Sequence, residues 1–571
     1  MAAIISGNFR SLNAAAFVEE VKGDRSNVYI GLGKSSPWGG TTTANTSDTD
    51  APTPTDTIDA INEARQQMIG MKLVTDNDIS HVVPRYDWVA GAEFVGWDST
   101  DPAIYDKAFY CLTPDFKVYK CIHAPASGGV SDVPTHVDAA ITATSDGYYW
   151  KYMYTILASD SEKFLTNSYM PVKTLTESAK ATVAVDMASA GTTFTIDHEN
   201  PRIMVGQTMT NGNEGGGADP AATVTVTEVS GKTITVSANV EFDDGDVITF
   251  GDVLSTDPKF SQQQSQKSSR AAAAAGGIHK LKLISGGSGY NNDGASTSLA
   301  VTGDGLGCLT PGTILGSYIS GGAFVSDIII TGGNATTGSG NDNVGADYSV
   351  AQATVTQTGA SGAVFEPIIS PRGRPGFSTA VAGGGHGSDP VFELGGFYVG
   401  INVQISGTTD TQIANTQDFR QISLIRNPLV GGVIPTSPAS AINTLKYIGY
   451  GAGYTAETTL AQAVQTGDYV IENSLGFKGY IVNVDTTNNR IYYFQNDLTG
   501  YVTPTDADMV IKSGGQVQTQ YALTASSDAI TLNAPELNFN AGSGEMLFLE
   551  NRDPIQRSTS QIEDVKLIIE F

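Results

Sequence analysis

The chain has 571 residues and a formal net charge of -27, from 59 acidic and 32 basic residues. This length exceeds what one hydrophobic core usually supports, so we expect two to four domains. The acidic balance argues against a nucleic-acid partner, because phosphate backbones are bound by clustered Lys and Arg. The sequence has no apolar run long enough for a membrane span. Residues 1–10 are not typical of a signal peptide, and the three cysteines do not form a disulfide framework, which favours synthesis in a reducing cytoplasm.

Residues 1–180 mix helical and strand signals and are predicted to form an N-terminal α+β part of the core. We expect Ser11 to cap a short helix that runs through Val21. The segment 28–32 (Val-Tyr-Ile-Gly-Leu) then predicts a strand.

Two more elements are predicted before residue 180. Apolar residues at helical spacing indicate a helix that begins at Asp56 or Thr57 and reaches about Ile69. The aromatic run 148–156 predicts a long strand, because ring side chains favour pleated, half-buried surfaces.

The middle of the chain changes in composition. Residues 181–254 are rich in Thr and Val and predict a small inserted β module with a hairpin turning at Ser230 and Gly231. Residues 255–277, rich in Gln and Ser, predict a linker. Residues 278–411 predict a glycine-rich β region.

The last third of the chain alternates between core and insert. Residues 412–443 predict a core strand segment, and residues 444–534 predict a second inserted β module. In that module, segments 479–484 and 490–494 flank a turn and predict a hairpin. Residues 535–571 are predicted to return to the core. The fold class expected from these signals is mainly β with some α (α+β): a β-sandwich-like core with short N-terminal helices and inserted all-β modules.

The segment Gly31-Leu-Gly-Lys-Ser35 resembles the end of a phosphate-binding loop. The full pattern requires a glycine five positions before Gly33, where Val28 stands, and a helix directly afterwards, where Pro37 and Trp38 follow. Without that helix N-terminus a phosphate loses its amide donors. A strand that ends in a turn is the favoured interpretation.

Several polar residues have the chemistry of metal ligands but not the spacing. A closed zinc site requires four ligands in tight pairs. Acidic glycine turns suit calcium only when a complete loop with a distant bidentate Glu follows. Neither condition is met, so we expect buried cysteines and ordinary turns at the candidate positions: Cys111, Cys121, His123, His136, the turn 243–246 and the turn 291–294.

No arrangement of residues indicates catalysis. Carboxylate pairs for glycoside cleavage, such as Glu545 with Glu550 or Asp87 with Asp146, are arbitrary choices among 59 acids. The sequence lacks a Gly-x-Ser-x-Gly elbow and a His-Glu-x-x-His helix. We therefore expect no enzyme, no catalytic residue, no cofactor and no metal.

The aromatic strand has two interpretations. Its rings either form a sugar-stacking platform or divide between the core and a protein interface, and the second is favoured because large aromatic residues dominate burial there. The rings concerned are Tyr148, Tyr149, Trp150, Tyr152 and Tyr154.

Three arginines are expected to be architectural. Arg420 and Arg426 flank a strand in which Ile422 and Leu424 share a face, and Pro428 is expected to end that strand because proline cannot donate to the ladder. Arg552 lies in a late acidic segment. Carboxylates are the natural partners of these guanidinium groups.

Five segments in this order resemble the baseplate wedge protein of T-even-like contractile-tailed phages, of the gene-product-eight type. They are 31–38, 83–88 (Val-Pro-Arg-Tyr-Asp-Trp), 146–152 (Asp-Gly-Tyr-Tyr-Trp-Lys-Tyr), 418–429 (Asp-Phe-Arg-Gln-Ile-Ser-Leu-Ile-Arg-Asn-Pro-Leu) and 544–555 (Gly-Glu-Met-Leu-Phe-Leu-Glu-Asn-Arg-Asp-Pro-Ile). The family-signature residues that the resemblance singles out are Trp38, Arg85, Trp88, Trp150, Phe419, Arg420, Arg426, Pro428, Glu545, Glu550, Asn551, Arg552 and Pro554.

The resemblance implies a structural virion protein in the tail baseplate, made in the host cytoplasm. It implies a homodimer that holds other wedge proteins and takes part in baseplate assembly and in its rearrangement on contraction. Residues 181–394 and 444–534 exceed the compact family pattern, and we expect them to contact neighbouring tail or fibre proteins. Two alternatives stay open: a fibre or adhesin that binds glycan, and a β-rich enzyme that degrades polysaccharide.

Overall fold

A computed structural model gives the fold in two compact units. The first unit comprises Met1–Glu19, Ile79–Gly400 and Leu567–Phe571, and the second comprises Glu20–Asp78 and Ile401–Lys566. The structure describes residues 4–22, 26–34, 38, 51–75, 78–138, 140–172, 179–197, 200, 203–211, 220–221, 223–257, 276–293, 296–308, 312–313, 318–331, 344–371, 393–406, 419–430, 432–434, 441–443, 446–449, 469–472, 476–485, 490–495, 499–500, 502, 504, 509–513, 516–523, 531–532, 539–555 and 562–571.

The first helix begins earlier than the sequence predicts. It spans Gly7–Lys22, and Ser6 caps it: the Ser6 carbonyl accepts from the Arg10 amide at 3.2 Å and its hydroxyl from the Phe9 amide at 3.3 Å. Ser11 lies buried inside the helix, so its predicted role as the cap was wrong. Ser6 offers the same hydroxyl chemistry one turn earlier.

The second helix begins as predicted but ends sooner. It spans Ile58–Gln66, and the Thr57 hydroxyl accepts from the Ala60 amide at 3.3 Å. The strand Met68–Leu73 follows at once, so the prediction of helix as far as Ile69 was wrong. A short apolar run is compatible with the periodicity of a helix and with that of a strand. Here pairing with a neighbouring strand makes these residues a strand. The described residues also include a helix at Ala158–Phe164 and a 3-10 turn at Ile104–Asp106.

The second unit contains two sheets in its described part. The first is named here the signature sheet, and its strands in order across the sheet are Ala441–Asn443, Met68–Leu73, Val28–Gly33, Phe419–Arg426 and Glu545–Ile555. The other runs in the order Gln516–Leu523, Met509–Ser513, Tyr469–Glu472, Phe477–Asp485, Arg490–Phe494, Lys446–Gly449 and Thr531–Leu532.

These two sheets share hydrophobic contacts. Phe494 and Tyr480 of the second sheet pack in one cluster with Tyr29, Met68 and Ile425 of the signature sheet. The predicted hairpin is confirmed, because Phe477–Asp485 pairs antiparallel with Arg490–Phe494. Residues of the predicted insert 444–534 therefore contribute to the core of the second unit.

Two four-stranded sheets include segments that come before residue 180. One runs in the order Tyr110–Leu112, Lys117–His123, Tyr149–Thr155 and Thr142–Ala143, and it confirms the predicted aromatic strand. In the other, the order is Ile562–Glu570, Tyr398–Ser406, Ile79–Pro84 and Tyr169–Val172, so the predicted terminal strand lies in a sheet. Within that strand Val565 and Leu567 are buried and Lys566 is exposed, as the alternation predicts.

Residues 179–253 enclose a hydrophobic cluster of their own. The cluster includes Val183, Phe194, Ile234, Phe242 and Phe250. One three-stranded sheet runs in the order Gly191–Thr195, Thr233–Val240 and Val226–Ser230. A second three-stranded sheet runs in the order Gln207–Asn211, Val247–Val253 and Ala179–Thr182. Ser230 pairs with Thr233, which confirms the predicted hairpin.

The glycine-rich region forms several short sheets in its described part. One three-stranded sheet runs in the order Ile328–Ile329, Ile278–Ser288 and Ser361–Ile369, and another in the order Gly312–Thr313, Ser298–Gly303 and Ala351–Thr356. Two strand pairs are formed by Leu306–Cys308 with Val344–Ala346 and by Ile319–Ser320 with Ala323–Phe324. Ile368 packs in the same cluster as Trp97 and Phe109, and the Trp97 indole donates to the Ile369 carbonyl at 3.1 Å. This region therefore shares a core with the aromatic sheet of the first unit.

The mainly β class expected from the sequence is confirmed. The sandwich-like arrangement and the division of the chain into seven segments stay predictions. Most of the predicted linker, residues 258–275, lies outside the described residues. Within the described part of the chain, no helix is long and apolar enough to cross a membrane.

Candidate functional site

The signature sheet joins segments from both ends of the sequence. Val28–Gly33 pairs antiparallel with Phe419–Arg426, which in turn pairs antiparallel with Glu545–Ile555. Ile422 and Leu424 are fully buried on the central strand, as their apolar alternation predicts, and so is Ile425. Most of the predicted signature residues therefore lie on two adjacent strands of one sheet.

Gly31 owes its place to close packing in this sheet. A Cβ atom there would lie 2.6 Å from the Ser423 hydroxyl and 2.9 Å from the Met68 methyl carbon. The strand ends after Gly33, where Lys34 adopts a φ of 60° and its amide donates to the Gln67 carbonyl at 3.0 Å. This geometry supports the interpretation as a strand that ends in a turn rather than a phosphate loop. Residues 35–37 lie outside the described residues.

Arg426 connects two carboxylates within the second unit. Its Nη1 donates to Glu20 at 2.9 Å and its Nε donates to Glu545 at 3.0 Å, with a further contact from Nη2 to Glu545. These hydrogen bonds, the one to Glu545 first, raise the pKa of Arg426. The predicted pairing of this arginine with carboxylates is confirmed, and Glu20 is a partner that the sequence did not reveal.

The strand before Pro428 ends through backbone geometry. It stops at Arg426, because Asn427 adopts a left-handed φ of 48°. The Asn427 amide donates to the Asn27 carbonyl at 2.8 Å, and the Asn27 amide donates to the Asn427 side-chain oxygen at 2.9 Å. The predicted stop near Pro428 is therefore found two residues earlier, and Asn is among the residues that tolerate this conformation.

Trp38, Arg420 and Arg552 lie near the same end of three neighbouring strands of the signature sheet. The Trp38 indole donates to the Arg552 carbonyl at 3.0 Å, and the Lys34 ammonium lies 5.4 Å from the Trp38 ring centroid. Arg420 is buried, and its Nη1 lies 3.5 Å from the Lys34 carbonyl oxygen. Arg552 lies 3.6 Å from Glu550 across a mostly exposed surface. The structure thus brings together residues that are far apart in the sequence.

Asn551 forms two side-chain hydrogen bonds near the same end of these strands. Its side-chain oxygen accepts from the Gln421 amide at 2.9 Å, and its side-chain nitrogen donates to the Pro52 carbonyl at 2.8 Å. Phe419 is buried opposite Ile555. Sequence reasoning missed Gln421, and an alternating strand gives no signal that a buried polar side chain will find a cross-strand partner.

The signature residues of the first unit surround an aromatic core. Trp150 stacks on Tyr148 at 5.7 Å and meets Phe94 edge to face at 5.5 Å. Trp88 packs at the margin of this cluster, and its amide donates to the Leu112 carbonyl at 2.8 Å. Arg85 pairs with Asp87 at 2.7 Å and is held outside the cluster.

The aromatic strand does not offer a sugar-binding surface. Tyr148, Trp150, Tyr152 and Tyr154 are all buried, and only Tyr149 is half-buried. Burial raises the pKa of the Tyr154 hydroxyl well above its usual range. A sugar ring cannot stack on rings that the core covers, so the alternative of a platform on this strand was wrong.

The candidate metal ligands have other partners. Cys111 and Cys121 are buried, and burial raises the pKa of both thiols. His123 lies 3.4 Å from Asp327, and His136 packs on the Tyr119 ring. Among the residues that the structure describes, no group of three His, Cys, Asp or Glu side chains is arranged to hold a metal.

The acidic turn at 243–246 is held by hydrogen bonds within the protein. Asp246 is buried and accepts from the Asn211 side chain at 2.8 Å and the Asp243 amide at 3.1 Å. These contacts support ordinary turn chemistry. Gly294 of the second candidate turn lies outside the described residues.

The carboxylates considered for glycoside cleavage are engaged in structural contacts. Glu545 and Glu550 pair with Arg426 and Arg552, and Asp87 pairs with Arg85. Burial raises the pKa of Asp146, but hydrogen bonds from Thr144, Ser131, Asp132 and Tyr148 outweigh it, so the net pKa is lowered. A general acid needs a raised pKa, so the environment of Asp146 opposes that role.

Nothing in the sequence indicated one group of buried charged side chains. Lys120, Lys151 and Glu393 meet in the interior of the first unit. A lysine in an alternating strand predicts a solvent-facing position, and the sequence holds no sign of the partner that arrives from far along the chain.

Residues 3–94 match the family described as Phage-Gp8, Bacteriophage T4, Gp8. This match confirms the predicted resemblance to a T4-like baseplate wedge protein. It spans the segments 31–38 and 83–88, and with them Trp38, Arg85 and Trp88. No curated protein matches the chain. The family indicates a structural role in the baseplate wedge of a phage tail.

Proposed function

We propose that this protein is a structural subunit of a contractile-tail baseplate wedge, where it holds neighbouring wedge proteins together. The observation that carries the proposal is the family match over residues 3–94, which include the strand Val28–Gly33 of the signature sheet. The signature residues support it, because their contacts are those of packing and of ion pairs rather than of a reactive cleft. In this role the protein takes part in baseplate assembly and in its rearrangement on contraction.

The proposed partners are other baseplate wedge proteins and a second copy of the chain. The resemblance implies the homodimer, and symmetry then multiplies each modest interface around the plate. The half-exposed group of Arg426, Glu20 and Glu545 supports a role in contacts that form and break, because surface ion pairs contribute little to folding itself. The protein is proposed to be made in the host cytoplasm and to reside in the virion tail baseplate.

Two finer structural features belong to the proposal. The core is a β-sandwich-like α+β assembly, and the extra β modules contact adjacent tail or fibre proteins. The self-contained cluster of residues 179–253 supports the second feature, because a module with its own core can project from a loop at little cost to the rest.

The assembly claim is tested by coexpressing the chain with the other tail genes from the same genome. We expect it to elute in a stable complex with at least one wedge protein, and a reversed charge in Arg426→Glu to weaken that complex more than Arg552→Ala does. Elution of the chain on its own, with every other wedge protein present, contradicts the proposal.

The module claim is tested by excising residues 179–253. Ala179 pairs with Phe250 on the adjacent strand, three residues before the end of the excised segment, so a glycine linker is placed between the two cut ends. We expect a folded chain that assembles less efficiently into particles. Unchanged assembly and infectivity contradict a contact role for this module.

A glycan-binding fibre and a polysaccharide-degrading enzyme are less well supported. The burial of the aromatic strand removes one of the two features that motivated the glycan-binding alternative, the other being the glycine-rich β region. The carboxylates considered for catalysis form structural contacts, which counts against the enzyme.

A further inference from the structure

Two lysines and one glutamate meet inside the first unit. Lys120 and Lys151 are directly opposite each other on adjacent strands, so their side chains share a face. The Lys120 Nζ lies 3.0 Å from Glu393 Oε2, and the Lys151 Nζ lies 3.4 Å from Glu393 Oε1. The side chains of Lys120 and Glu393 are 0% exposed, and that of Lys151 is 3% exposed.

The surroundings of this group exclude water. The Trp97 ring centroid lies 4.3 Å from the Lys120 Nζ. His279 is buried beside the group, and among the described residues neither of its ring nitrogens has a hydrogen-bond partner. Burial first, and then the charges of Lys151 and Lys120, lower the pKa of His279 well below its usual range, so this imidazole adds no further positive charge.

An ion pair is costly in such a place. Removing two charges from water is unfavourable, and their mutual attraction offsets the loss of hydration only with excellent geometry. Burial lowers the pKa of Lys120 to about 8, so a neutral amine is accessible near physiological pH. A desolvated neutral lysine is a nucleophile, and the Glu393 carboxyl carbon, whose oxygen lies 3.0 Å from the Lys120 Nζ, is an electrophile within reach.

We propose that Lys120 and Glu393 condense into an intramolecular isopeptide bond. A proton passes from the Lys120 ammonium to the Glu393 carboxylate, which leaves an amine beside a carboxylic acid. The amine Nζ attacks the carboxyl carbon, a C–N bond forms, and the C–OH bond breaks. The hydroxyl leaves as water with a proton from the nitrogen, so no other reactant is needed.

Lys151 has a defined part in this step. Its ammonium group lies against the carboxyl oxygen that becomes negative in the tetrahedral intermediate, and a preorganised cation there stabilises that charge. The cluster carries one net positive charge before and after the reaction, so condensation leaves no new unbalanced charge in the interior. The bond closes a loop between residues 273 positions apart. Such a closure restricts the unfolded chain in the way a disulfide does, but without an oxidising compartment.

The bond is tested by the intact mass of the purified, denatured full-length chain. We expect a mass lower than the sequence mass by one water, about 18 Da. After trypsin, residues 118–151 should remain uncut at Lys120 and be joined to residues 373–420 in one branched peptide. The full sequence mass, together with cleavage at Lys120 and two separate peptides, overturns the proposal. This result is independent of the proposed baseplate role.

Three variants separate the chemistry from folding. Lys120→Arg keeps a cation but should restore the full mass. Lys151→Gln should lower the linked fraction several-fold, and Lys151→Arg should recover most of it. A branched peptide in Lys120→Arg overturns the assigned linkage, and an unchanged linked fraction in a folded Lys151→Gln protein overturns the part assigned to Lys151.

Discussion

The two units use their signature residues in different ways. In the first unit Trp150 is fully buried and surrounded by other rings. In the second unit Trp38 is half-buried, and its indole donates a hydrogen bond to the Arg552 carbonyl. Arg426 likewise forms ion pairs with side chains that are about a third or more exposed. Trp150 therefore belongs to the core of the first unit, whereas Trp38 and Arg426 lie nearer the surface of the second.

This difference separates stability from assembly. A large ring deep in a core stabilises the fold through apolar burial. Removing such a ring therefore destabilises the isolated chain as well as the assembled protein. A surface ion pair contributes little to folding and is therefore available to exchange partners. In the isolated chain, removing Trp150 should therefore lower the free energy of unfolding much more than removing a surface ion pair does.

The largest effect is expected from Trp150→Ala. Removing this ring should lower the free energy of unfolding by about 3–5 kcal/mol, because a cavity replaces a fully packed side chain. Urea denaturation measures the loss. The neighbouring Tyr149→Ala, at a half-buried position of the same strand, is the control and should lose clearly less. Equal losses would contradict the central place given to Trp150.

The second unit also contains a buried lysine, Lys446, which should make the free energy of unfolding depend on pH. Lys446 donates to the Gln495 side chain at 2.7 Å, and burial lowers its pKa from 10.5 to about 8. Between these values the unfolded chain binds more protons than the folded chain, so stability should rise with pH. From about pH 8 to about pH 10 the gain relative to Lys446→Met should be about 1–3 kcal/mol.

The pH test needs an exposed lysine as a control. Lys566→Met should keep the slope of the unmodified protein, because Lys566 is exposed in the folded chain. The measurement is urea denaturation at several pH values. A slope that Lys446→Met leaves unchanged would show that Lys446 keeps its ordinary pKa in the folded protein.

Gly31→Ala tests whether close packing holds the signature sheet. The added methyl group meets Ser423 and Met68, and overpacking of this kind costs about 1–3 kcal/mol. Gly542→Ala is a matched control in the same unit, because the nearest atom to its Cβ is the Asn540 side-chain oxygen at 3.4 Å. Thermal unfolding compares the two variants, and a Gly31→Ala protein as stable as the control would remove the packing argument.

Arg426→Ala should have the smallest effect on the isolated chain. Its partners are partly exposed, so we expect a loss of about 1 kcal/mol or less in the free energy of unfolding. Raising the salt concentration should shrink the difference further. A loss several times larger in urea denaturation would place Arg426 among the residues that hold the fold.

The sequence was most informative where a local pattern determines the structure. Alternation and turn residues predicted the hairpin that joins Phe477–Asp485 to Arg490–Phe494, and a hydroxyl before an apolar run predicted the cap at Thr57. It failed at Met68 and Ile69, whose helical spacing gave way to pairing with Val28–Gly33. Pairing between distant strands is a tertiary effect that a short period cannot anticipate.

The sequence predicted the kind of partner that the site residues have, but not which residues those partners are. The pairing of Arg426 with carboxylates followed from its chemistry, but its partner Glu20 lies 406 positions away and no local signal connects them. The burial of Lys120 had no signal at all, since its partner Glu393 lies 273 positions away. Long-range charge partners are decided by topology, which a single sequence reveals poorly.

The most direct test of the baseplate role places the protein in the particle. A gold-labelled antibody against the chain is applied to intact virions and viewed by electron microscopy. A baseplate wedge subunit predicts label in a ring at the distal end of the tail. Label on fibre tips, or none on the particle, would contradict the assignment.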